Sequence, residues 1–236
     1  GACSDTGGCR STLTVNVQKY LFTRYKPLFE KDISMIGFSL KRFFEKNFSI
    51  FQKQKQIKDK KYQIRADIRA KKRQLSDEEK KEAARIVFKR IETMLAFQKA
   101  KVVFLYWSTP SELPTHEYVR KWSENKIILL PSVSGDKMHL RRYVSSKEMQ
   151  MGEGNILEPT TDIYKGHFDL AIIPGIAFDR ERHRMGRGRG YYDRFLNSKS
   201  ITTYGVGFDF QVLRKIPVTR RDMKVTSVFS PSKTIE

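Results

Sequence analysis

Residues 184–196 combine basic side chains, glycines and a short helical pattern in a way that suits phosphate chemistry. The stretch reads RMGRGRGYYDRFL and follows the apolar run DLAIIPG at 169–175 after one loop. Glycine lets the backbone approach a ligand closely, and arginine presents a fork of donors that fits phosphate oxygens. The N–H groups at the start of a helix near Tyr191 add further donors. The stretch therefore predicts a polyphosphate cradle.

An aspartate in the same stretch extends this prediction to a metal ion. Asp193 lies in the first turn of the predicted helix, where a hard oxygen ligand can serve Mg²⁺ beside phosphates. An acid at this position also balances the helix dipole, which is its ordinary role. The competing interpretation is an RNA-binding tract, but such tracts repeat the basic-glycine unit, and here a single unit stands between a strand and a helix. The chain contains no Walker A pattern, so the cradle is not a P-loop.

The composition limits the class of protein. The chain has 236 residues and a formal net charge of +20, which attracts nucleic acid, anionic membranes, phosphates and polycarboxylates alike. Both cysteines, Cys3 and Cys9, lie near the start, so a disulfide framework or cysteine-ligated metal is excluded from the rest. The four histidines lack metal-ligand spacing, and no apolar run reaches the length of a transmembrane helix.

From Lys58 onward, apolar runs alternate with helical patterns. Ile64, Ile68 and Leu75 share one face of a first helix; a capping box at Ser76 begins a second helix through Leu95, with an apolar stripe at Ala84, Phe88, Ile91 and Leu95; and Thr115 caps a third through Trp122. Strands are predicted at 101–107, 126–131, 137–144, 169–175, 202–208 and around 224–229. This alternation predicts a three-layer α/β fold, with a mostly parallel sheet covered by helices on both faces.

Residues 1–57 differ from the rest and are predicted to be a helical or disordered extension ahead of a catalytic domain at 58–236. Apolar residues recur at helical spacing with basic residues between them, which indicates a basic amphipathic helix: Ile33, Ile36, Leu40, Phe43, Phe44, Phe48 and Phe51. Such a helix packs on the domain or a partner, lies on a membrane surface, or belongs to a targeting segment. Glu30, Asp32 and Glu45 count against a transit peptide, since those segments are poor in acids.

Four separated segments, in order, resemble the 5-formyltetrahydrofolate cyclo-ligase family, also called 5,10-methenyltetrahydrofolate synthetases. They are KKYQIRADIRAKKRQLS, SELPT, IPGIAFDRERHRMGRGRGYYDRFL and RRDMKVTSV. The resemblance covers most of 58–230 and leaves 1–57 outside. It implies a cytoplasmic, monomeric enzyme that uses ATP and Mg²⁺ to cyclise 5-formyltetrahydrofolate, with or without a polyglutamate tail, to 5,10-methenyltetrahydrofolate. The implied route passes through a phosphorylated formyl group, an iminium phosphate, and releases ADP and phosphate.

The resemblance also implies roles for individual residues. Contacts with ATP are expected from Lys61, Arg65, Arg184, Met185, Gly186, Arg187, Gly188, Arg189, Gly190, Tyr191 and Tyr192. Contacts with the folate are expected from Leu105, Glu112, Arg187, Gly188, Arg189, Gly190 and Tyr191. Arg187, Arg189 and Tyr191 are the implied catalytic residues, and Asp193 and Asp222 the implied magnesium ligands. Without the resemblance, Lys61 and Arg65 are interpreted as a solvated basic helix face and Glu112 as an ordinary loop acid.

A second class of function stays open at this point. A nucleic-acid-binding module would use the +20 charge and the Gly/Arg stretch for backbone phosphates, and its affinity would fall steeply with salt. That alternative gives no role to Glu112, Asp193 and Asp222. We therefore expect an enzyme and no nucleic-acid partner.

Overall fold

The computed structural model describes residues 38–197 and 199–236, without the side chains of 38–41 and 43–45. The chain divides between Lys55 and Gln56 into two units, and helix α1 (Phe38–Arg73) begins in the first and ends in the second. In the first unit, the side chains of Phe48 and Phe51 are 45% exposed. Ile33 and Ile36, and the side chains of Leu40, Phe43 and Phe44, lie outside the described residues. The other elements belong to the second unit.

A seven-stranded sheet forms the centre of the second unit. Its strands are β1 (Val102–Phe104), β2 (Ile127–Ser134), β3 (Lys137–Arg142), β6 (Leu170–Pro174), β9 (Thr202–Val206), β11 (Ser227–Ser230) and β12 (Lys233–Ile235). Their order in the sheet is β12-β11-β9-β6-β1-β2-β3; the five inner strands are parallel, and β3 and β12 pair antiparallel at the two edges. The predicted mostly parallel sheet is confirmed.

Two apolar layers cover the faces of this sheet, because successive strand residues point to opposite sides. On one face, Val103 and Ile172 pack with the helices α2 (Asp77–Glu92), α3 (Leu95–Lys99) and α4 (His116–Ser123). On the other face, Phe104 and Ile173 pack with α5 (Tyr191–Leu196) and the loops beside it. The predicted layers on both faces are therefore present.

Among the described residues, five short strands and two 3₁₀ turns lie outside the central sheet. A three-stranded sheet of order β10-β7-β8 and a hairpin of β4 and β5 complete the unit. Their bounds are β4 (Met149–Met151), β5 (Leu157–Pro159), β7 (Ala177–Asp179), β8 (Arg184–Met185) and β10 (Val212–Leu213), with 3₁₀ turns at Ser146–Glu148 and Asp209–Gln211. In the part of the chain that the structure describes, no helix is long and apolar enough to cross a membrane.

Three local predictions differ from the structure. The capping box at Ser76 is present, but α2 ends at Glu92 and Leu95 begins α3 with its side chain 61% exposed, so its place in the apolar stripe was wrong. Strand β1 ends at Phe104, whereas the sequence predicted a strand over 101–107, and the residues after Phe104 form a loop. Thr115 precedes α4 without capping it through its side chain, since its hydroxyl donates to the carbonyl of Tyr106 instead (2.7 Å).

Candidate active site

The Gly/Arg stretch lies beyond the carboxyl end of β6, where ligands bind in parallel α/β sheets. Strand β6 ends at Pro174, the β7–β8 hairpin follows, and a glycine-rich loop then leads into α5. Gly188 and Gly190 have φ of 117° and 69°, which side chains other than glycine rarely adopt. A β-carbon at Gly190 would also lie 3.1 Å from Arg194 Nη1. The glycines therefore permit a tight loop that ends at the first residue of α5.

Arg184 is buried beneath this loop. Its side chain is 4% exposed, its Nε donates to the carbonyl of Pro174 (2.8 Å), and its guanidinium lies over the ring of Tyr192 at 4.7 Å. Nη1 is 3.6 Å from Asp193 Oδ2 and has no hydrogen-bond acceptor among the described residues. Burial lowers the pKa of Arg184, and the neighbouring Asp193 opposes this shift. The loop thus packs on the desolvated positive charge of Arg184, whose Nη1 is a hydrogen-bond donor without an acceptor among the described residues.

Helix α1 carries two further cations that contact predicted site residues. Lys61 and Arg65 are four residues apart and therefore share one helix face. Arg65 Nε donates to the carbonyl of Gly186 (3.1 Å), and Lys61 Nζ lies 2.5 Å from Asp222 Oδ2. Burial lowers the pKa of Arg65, while Asp222 acts in the opposite direction. The structure therefore brings Arg65 to the Gly/Arg loop and pairs Lys61 with Asp222, a predicted metal ligand.

The two predicted metal ligands lie near each other. Asp222 Oδ2 accepts hydrogen bonds from Lys61 and from the backbone and hydroxyl of Thr219 (2.5 and 2.8 Å). Burial alone would raise the pKa of Asp222, but these hydrogen bonds outweigh it and hold the pKa below its ordinary value. Met223, the next residue, donates its backbone N–H to Asp193 Oδ1 (3.3 Å). Asp222 Oδ1 and Asp193 Oδ2 accept no hydrogen bond from the described residues, although Asp193 Oδ2 forms an ion pair with Arg184 Nη1 at 3.6 Å.

The loop after β1 brings an acid to the other side of the stretch. Arg187 Nη2 donates to Glu112 Oε1 (2.9 Å) and to the hydroxyl of Thr109 (2.8 Å). Glu112 Oε2 accepts from the backbone and hydroxyl of Thr109, both at 3.0 Å. Arg187 is half exposed, whereas the Glu112 side chain is 10% exposed. The predicted folate acid therefore touches a predicted catalytic arginine.

A network of hydroxyl groups holds this loop in place. Thr115 Oγ1 accepts from the backbone of Ser108 (3.0 Å), and Ser108 Oγ accepts from the backbone of Thr115 (3.0 Å). The hydroxyl of Tyr106 donates to the carbonyl of Leu113 (2.9 Å), and all four side chains are buried. These contacts explain why the chain leaves β1 early and what fixes the Glu112 backbone.

The outer part of the Gly/Arg loop is more exposed. Arg189, at 68% exposed, pairs with Glu153, and its Nη1 is 3.3 Å from the hydroxyl of Tyr191. That hydroxyl donates to the carbonyl of Gly135, in the turn between β2 and β3 (2.9 Å). Arg189 and Tyr191 thus form a rim at the outer edge of the loop. The β4–β5 turn holds Arg189 through Glu153, and the β2–β3 turn holds Tyr191 through Gly135.

Two predicted contact residues, Leu105 and Met185, have buried side chains, and a third, Tyr192, is partly buried. The ring of Tyr192 stacks on Phe104 at 5.9 Å, and burial raises its pKa. Leu105 is fully buried in the helix-side core, and Met185 is 1% exposed beside Ala177. The side chains of Leu105 and Met185 are therefore not accessible to a ligand in this structure.

The sequence profile of the 5-formyltetrahydrofolate cyclo-ligase family matches residues 57–231. The chain belongs to this family. As a cyclo-ligase it is an enzyme of the ligase class, which confirms the predicted resemblance and enzyme class. The match begins just before Lys61 and ends after Asp222, so every residue of the site described above lies inside it.

Proteins named as cyclo-ligases match most of the same region. The chain is 31% identical over 180 residues to the 5-formyltetrahydrofolate cyclo-ligase of Escherichia coli K12, covering 72% of this chain and 99% of that protein. It is 28% identical over 185 residues to the mouse cyclo-ligase, covering 70% and 90%. The solved structure of the 5,10-methenyltetrahydrofolate synthetase of Aquifex aeolicus superposes with a TM-score of 0.68 at 29% identity, covering 74% and 91%.

One buried residue beside the site was missed by sequence reasoning. Lys72 lies in the last turn of α1 and is 7% exposed. Burial lowers its pKa to about 8, with Glu112 opposing and Arg187 reinforcing the shift. Its spacing from Lys61 and Arg65, eleven and seven residues, places it on the same helix face. That spacing was visible in the sequence, but the run AKKRQ offers several basic residues and no means of choosing the inward one.

Proposed function

We propose that this cyclo-ligase converts 5-formyltetrahydrofolate to 5,10-methenyltetrahydrofolate, with ATP as co-substrate and Mg²⁺ as cofactor. The observation that carries the proposal is that two other chain segments contact one glycine-rich loop. Helix α1 reaches the loop through Arg65, and the loop after β1 reaches it through Glu112, which binds Arg187. Such a loop, with cations on several sides, suits a polyphosphate beside a second, polar substrate.

The reaction needs activation of a poor electrophile followed by ring closure. The formyl oxygen attacks the γ-phosphorus of ATP; the O–P bond forms, the bond from that phosphorus to the bridging oxygen breaks, and ADP leaves. N10 of the same folate then attacks the activated formyl carbon and loses its proton. Cleavage of the C–O bond releases phosphate and leaves the methenyl cation. Because both nitrogens belong to one molecule, the protein accelerates closure chiefly by holding N10 near the formyl carbon.

Basic side chains of the loop would stabilise charge on the transferred phosphoryl group. Arg187 and Arg189 offer guanidinium donors from the loop, and Arg184 adds the Nη1 donor that lacks an acceptor. Lys61 and Arg65 approach from α1. Phosphoryl transfer is accelerated mainly by positioning and by charge stabilisation, which is the chemistry that such a set supplies.

The two aspartates fit a magnesium ion that also binds ATP phosphates. Mg²⁺ is usually held by one or two carboxylates, waters and substrate phosphates. Asp193 and Asp222 are linked through Met223, and each has an oxygen without a hydrogen-bond donor among the described residues. When bound, the ion would neutralise phosphate charge during transfer. No group of three or more potential protein ligands occurs in the described part of the chain.

The folate would lie between the Gly/Arg loop and the loop after β1. Glu112 supplies a carboxylate for the N–H groups of a pterin, and Tyr191 supplies a ring and hydroxyl at the rim. Arg187 touches Glu112, so it can serve both substrates at their meeting point.

Turnover of defined substrates tests the proposal. The protein is incubated with 5-formyltetrahydrofolate, ATP and Mg²⁺, and absorbance of the methenyl product and release of ADP are followed together. We expect one ADP for each methenyl group, and no product when ATP or Mg²⁺ is omitted. Product without ATP, or ATP hydrolysis without product, would overturn the proposed reaction.

A further inference from the structure

Arg194 lies in α5, next to Asp193, and its guanidinium joins two separate loops. Its Nη1 donates to the carbonyl of Arg189 in the Gly/Arg loop (2.7 Å), and its Nη2 donates to the carbonyl of Asp136 in the turn between β2 and β3 (2.9 Å). The rigid fork of a guanidinium can hold two acceptors at a fixed separation. Arg194 therefore ties the Gly/Arg loop to a turn from a different part of the chain.

Tyr191 makes a parallel contact with the same turn. Its hydroxyl donates to the carbonyl of Gly135, the residue before Asp136 (2.9 Å). Tyr191 and Arg194 are three residues apart and therefore share one helix face. The Arg194 guanidinium lies 5.3 Å from the centre of the Tyr191 ring, where the face of an aromatic ring attracts a cation. The two side chains thus support each other while each binds the turn.

Gly190 leaves room for this guanidinium. A β-carbon at position 190 would lie 3.1 Å from Arg194 Nη1, which is tighter than an ordinary van der Waals contact. A side chain at this position would therefore press on the atom that donates to the Arg189 carbonyl.

The bond to the Arg189 carbonyl also orients a neighbouring N–H group. The peptide between Arg189 and Gly190 is trans, so its C=O and its N–H point in opposite directions. Because Arg194 holds the C=O, the Gly190 N–H is turned away from the guanidinium. The side chain of α5 thus determines which way a backbone donor of the loop faces.

Arg65 makes the same kind of contact at the other end of the loop. Its Nε donates to the carbonyl of Gly186 (3.1 Å), which turns the Arg187 N–H away from Arg65 by the same rule. In the described part of the chain, none of the backbone N–H groups of residues 187–190 donates to a protein acceptor. The loop thus has two carbonyls held by arginine side chains and several N–H groups open to an anion, as in backbone sites for phosphate.

We propose that Arg194 is a positioning residue for the nucleotide, which holds the peptide between Arg189 and Gly190 so that the Gly190 N–H donates to a phosphate oxygen of ATP. The proposal rests on the proposed function, because it takes ATP as the co-substrate. Arg194 acts through the backbone and not as a phosphate ligand, since its guanidinium binds two carbonyl groups and a ring.

The test compares four proteins: wild type, Arg194→Ala, Arg194→Lys and Lys199→Ala. Lys199 is the matched control, because it is exposed, lies just beyond α5, and has its ammonium 5.1 Å from the centre of the Phe195 ring. Its removal takes away a positive charge and a contact with a ring, but no contact with the Gly/Arg loop.

Binding and turnover are measured separately in each protein. Titration calorimetry gives dissociation constants for ATP with Mg²⁺ and for 5-formyltetrahydrofolate, turnover gives KM and kcat, and circular dichroism with thermal unfolding reports the fold. Arg194→Ala is also measured with guanidinium chloride, well below the concentration that unfolds it, and with sodium chloride at the same concentration.

In Arg194→Ala we expect the dissociation constant and KM for ATP to rise about tenfold, the effect of one misplaced hydrogen bond to a charged group. Affinity for 5-formyltetrahydrofolate should change little. Guanidinium ion should restore much of the lost ATP affinity by occupying the vacated position, whereas sodium chloride should not. Arg194→Lys, which keeps the charge and can donate to one of the two carbonyls, should be intermediate, and Lys199→Ala should match the wild type.

Three outcomes would overturn the inference. Equal losses of affinity for ATP and folate would mean that Arg194 supports the whole rim rather than the nucleotide. A lower Tm with no rescue by guanidinium ion would assign Arg194 to the fold, and if Arg194→Ala does not fold, wild-type ATP affinity in Arg194→Lys leads to the same conclusion. Wild-type protein that does not bind ATP would contradict the proposed function as well, whereas normal wild-type turnover with unchanged ATP affinity in Arg194→Ala would contradict the inference alone.

Discussion

Replacing Asp222 by asparagine should weaken both the fold and the proposed magnesium site. The Oδ2 atom of Asp222 accepts three hydrogen bonds, one from Lys61 and two from Thr219, and the two charged side chains are 12% and 16% exposed. Asparagine keeps the shape but replaces charge-assisted bonds with neutral ones, which are roughly half as strong. We expect a loss of about 2 kcal/mol of unfolding free energy, or about 4–8 °C in Tm for a unit of this size.

The pH dependence of this loss follows from the pKa of Asp222. Hydrogen bonds from Lys61 and Thr219 overcome the effect of burial and lower that pKa in the folded protein. A depressed carboxylate pKa contributes stability that is fully present above the unfolded value, about 3.9, and is lost as pH falls through the folded value. Urea unfolding should therefore show a constant gap between wild type and Asp222→Asn at pH 6–8, and a shrinking gap below about pH 4.

Asp169→Asn is the matched control for the magnesium role. Asp169 Oδ2 also accepts two backbone hydrogen bonds, from Lys101 and Val102 at 2.8 Å, but it lies at the amino end of β6, away from Pro174. Both variants should lose stability, whereas only Asp222→Asn should need more Mg²⁺ for half-maximal turnover. An unchanged magnesium titration in Asp222→Asn, or a stability gap that persists undiminished at pH 3, would refute this reasoning.

Further predictions concern the loop, the basic charge and the extension. Arg187→Ala and Arg189→Ala should fold normally and lose about a hundredfold in kcat, because phosphoryl charge loses a fixed donor; wild-type turnover in both would contradict their roles. Added salt should lower kcat/KM for folate more than kcat, and more steeply for polyglutamylated substrate, since exposed charges are screened over about 8 Å; equal, flat responses would leave the basic surface unexplained. A chain that begins at Lys58 should fold and turn over substrate in the same activity assay. Inactivity or aggregation of this shortened chain would show that residues 1–57 belong to the fold.

The regular part of the fold could be predicted because local patterns and tertiary packing agree there. The apolar run that became β6, the capping box at Ser76 and the short helix α5 all lie where the sequence placed them. The element boundaries that were predicted wrongly lie where long-range contacts determine where the element ends. The apolar run at 101–107 continues past Phe104, but buried hydroxyl contacts of Thr115 pull the chain into a loop.

The site could be predicted in its residue types more than in its pairings. The Gly/Arg motif and the helical spacing of Lys61 and Arg65 indicated which side chains share a surface. Nothing local showed that Lys61 would pair with Asp222, since 161 positions separate them. The burial of Lys72 could not be predicted from the sequence either, because it depends on which residues of the sheet and its loops pack against α1.

The pairing of Lys61 with Asp222 has a consequence for how the enzyme becomes active as it folds. The contact joins helix α1 to a segment just before β11, so it closes one of the longest loops in the second unit. Contacts of such high sequence separation carry the largest loop-closure entropy and form slowly. During synthesis the cations of α1 emerge well before their carboxylate partner, and the cradle is completed only when the last strands arrive. Recovery of nucleotide binding in a refolding experiment should therefore lag behind recovery of helix and sheet, and a chain that ends before Asp222 would hold most of the parallel sheet without a working site.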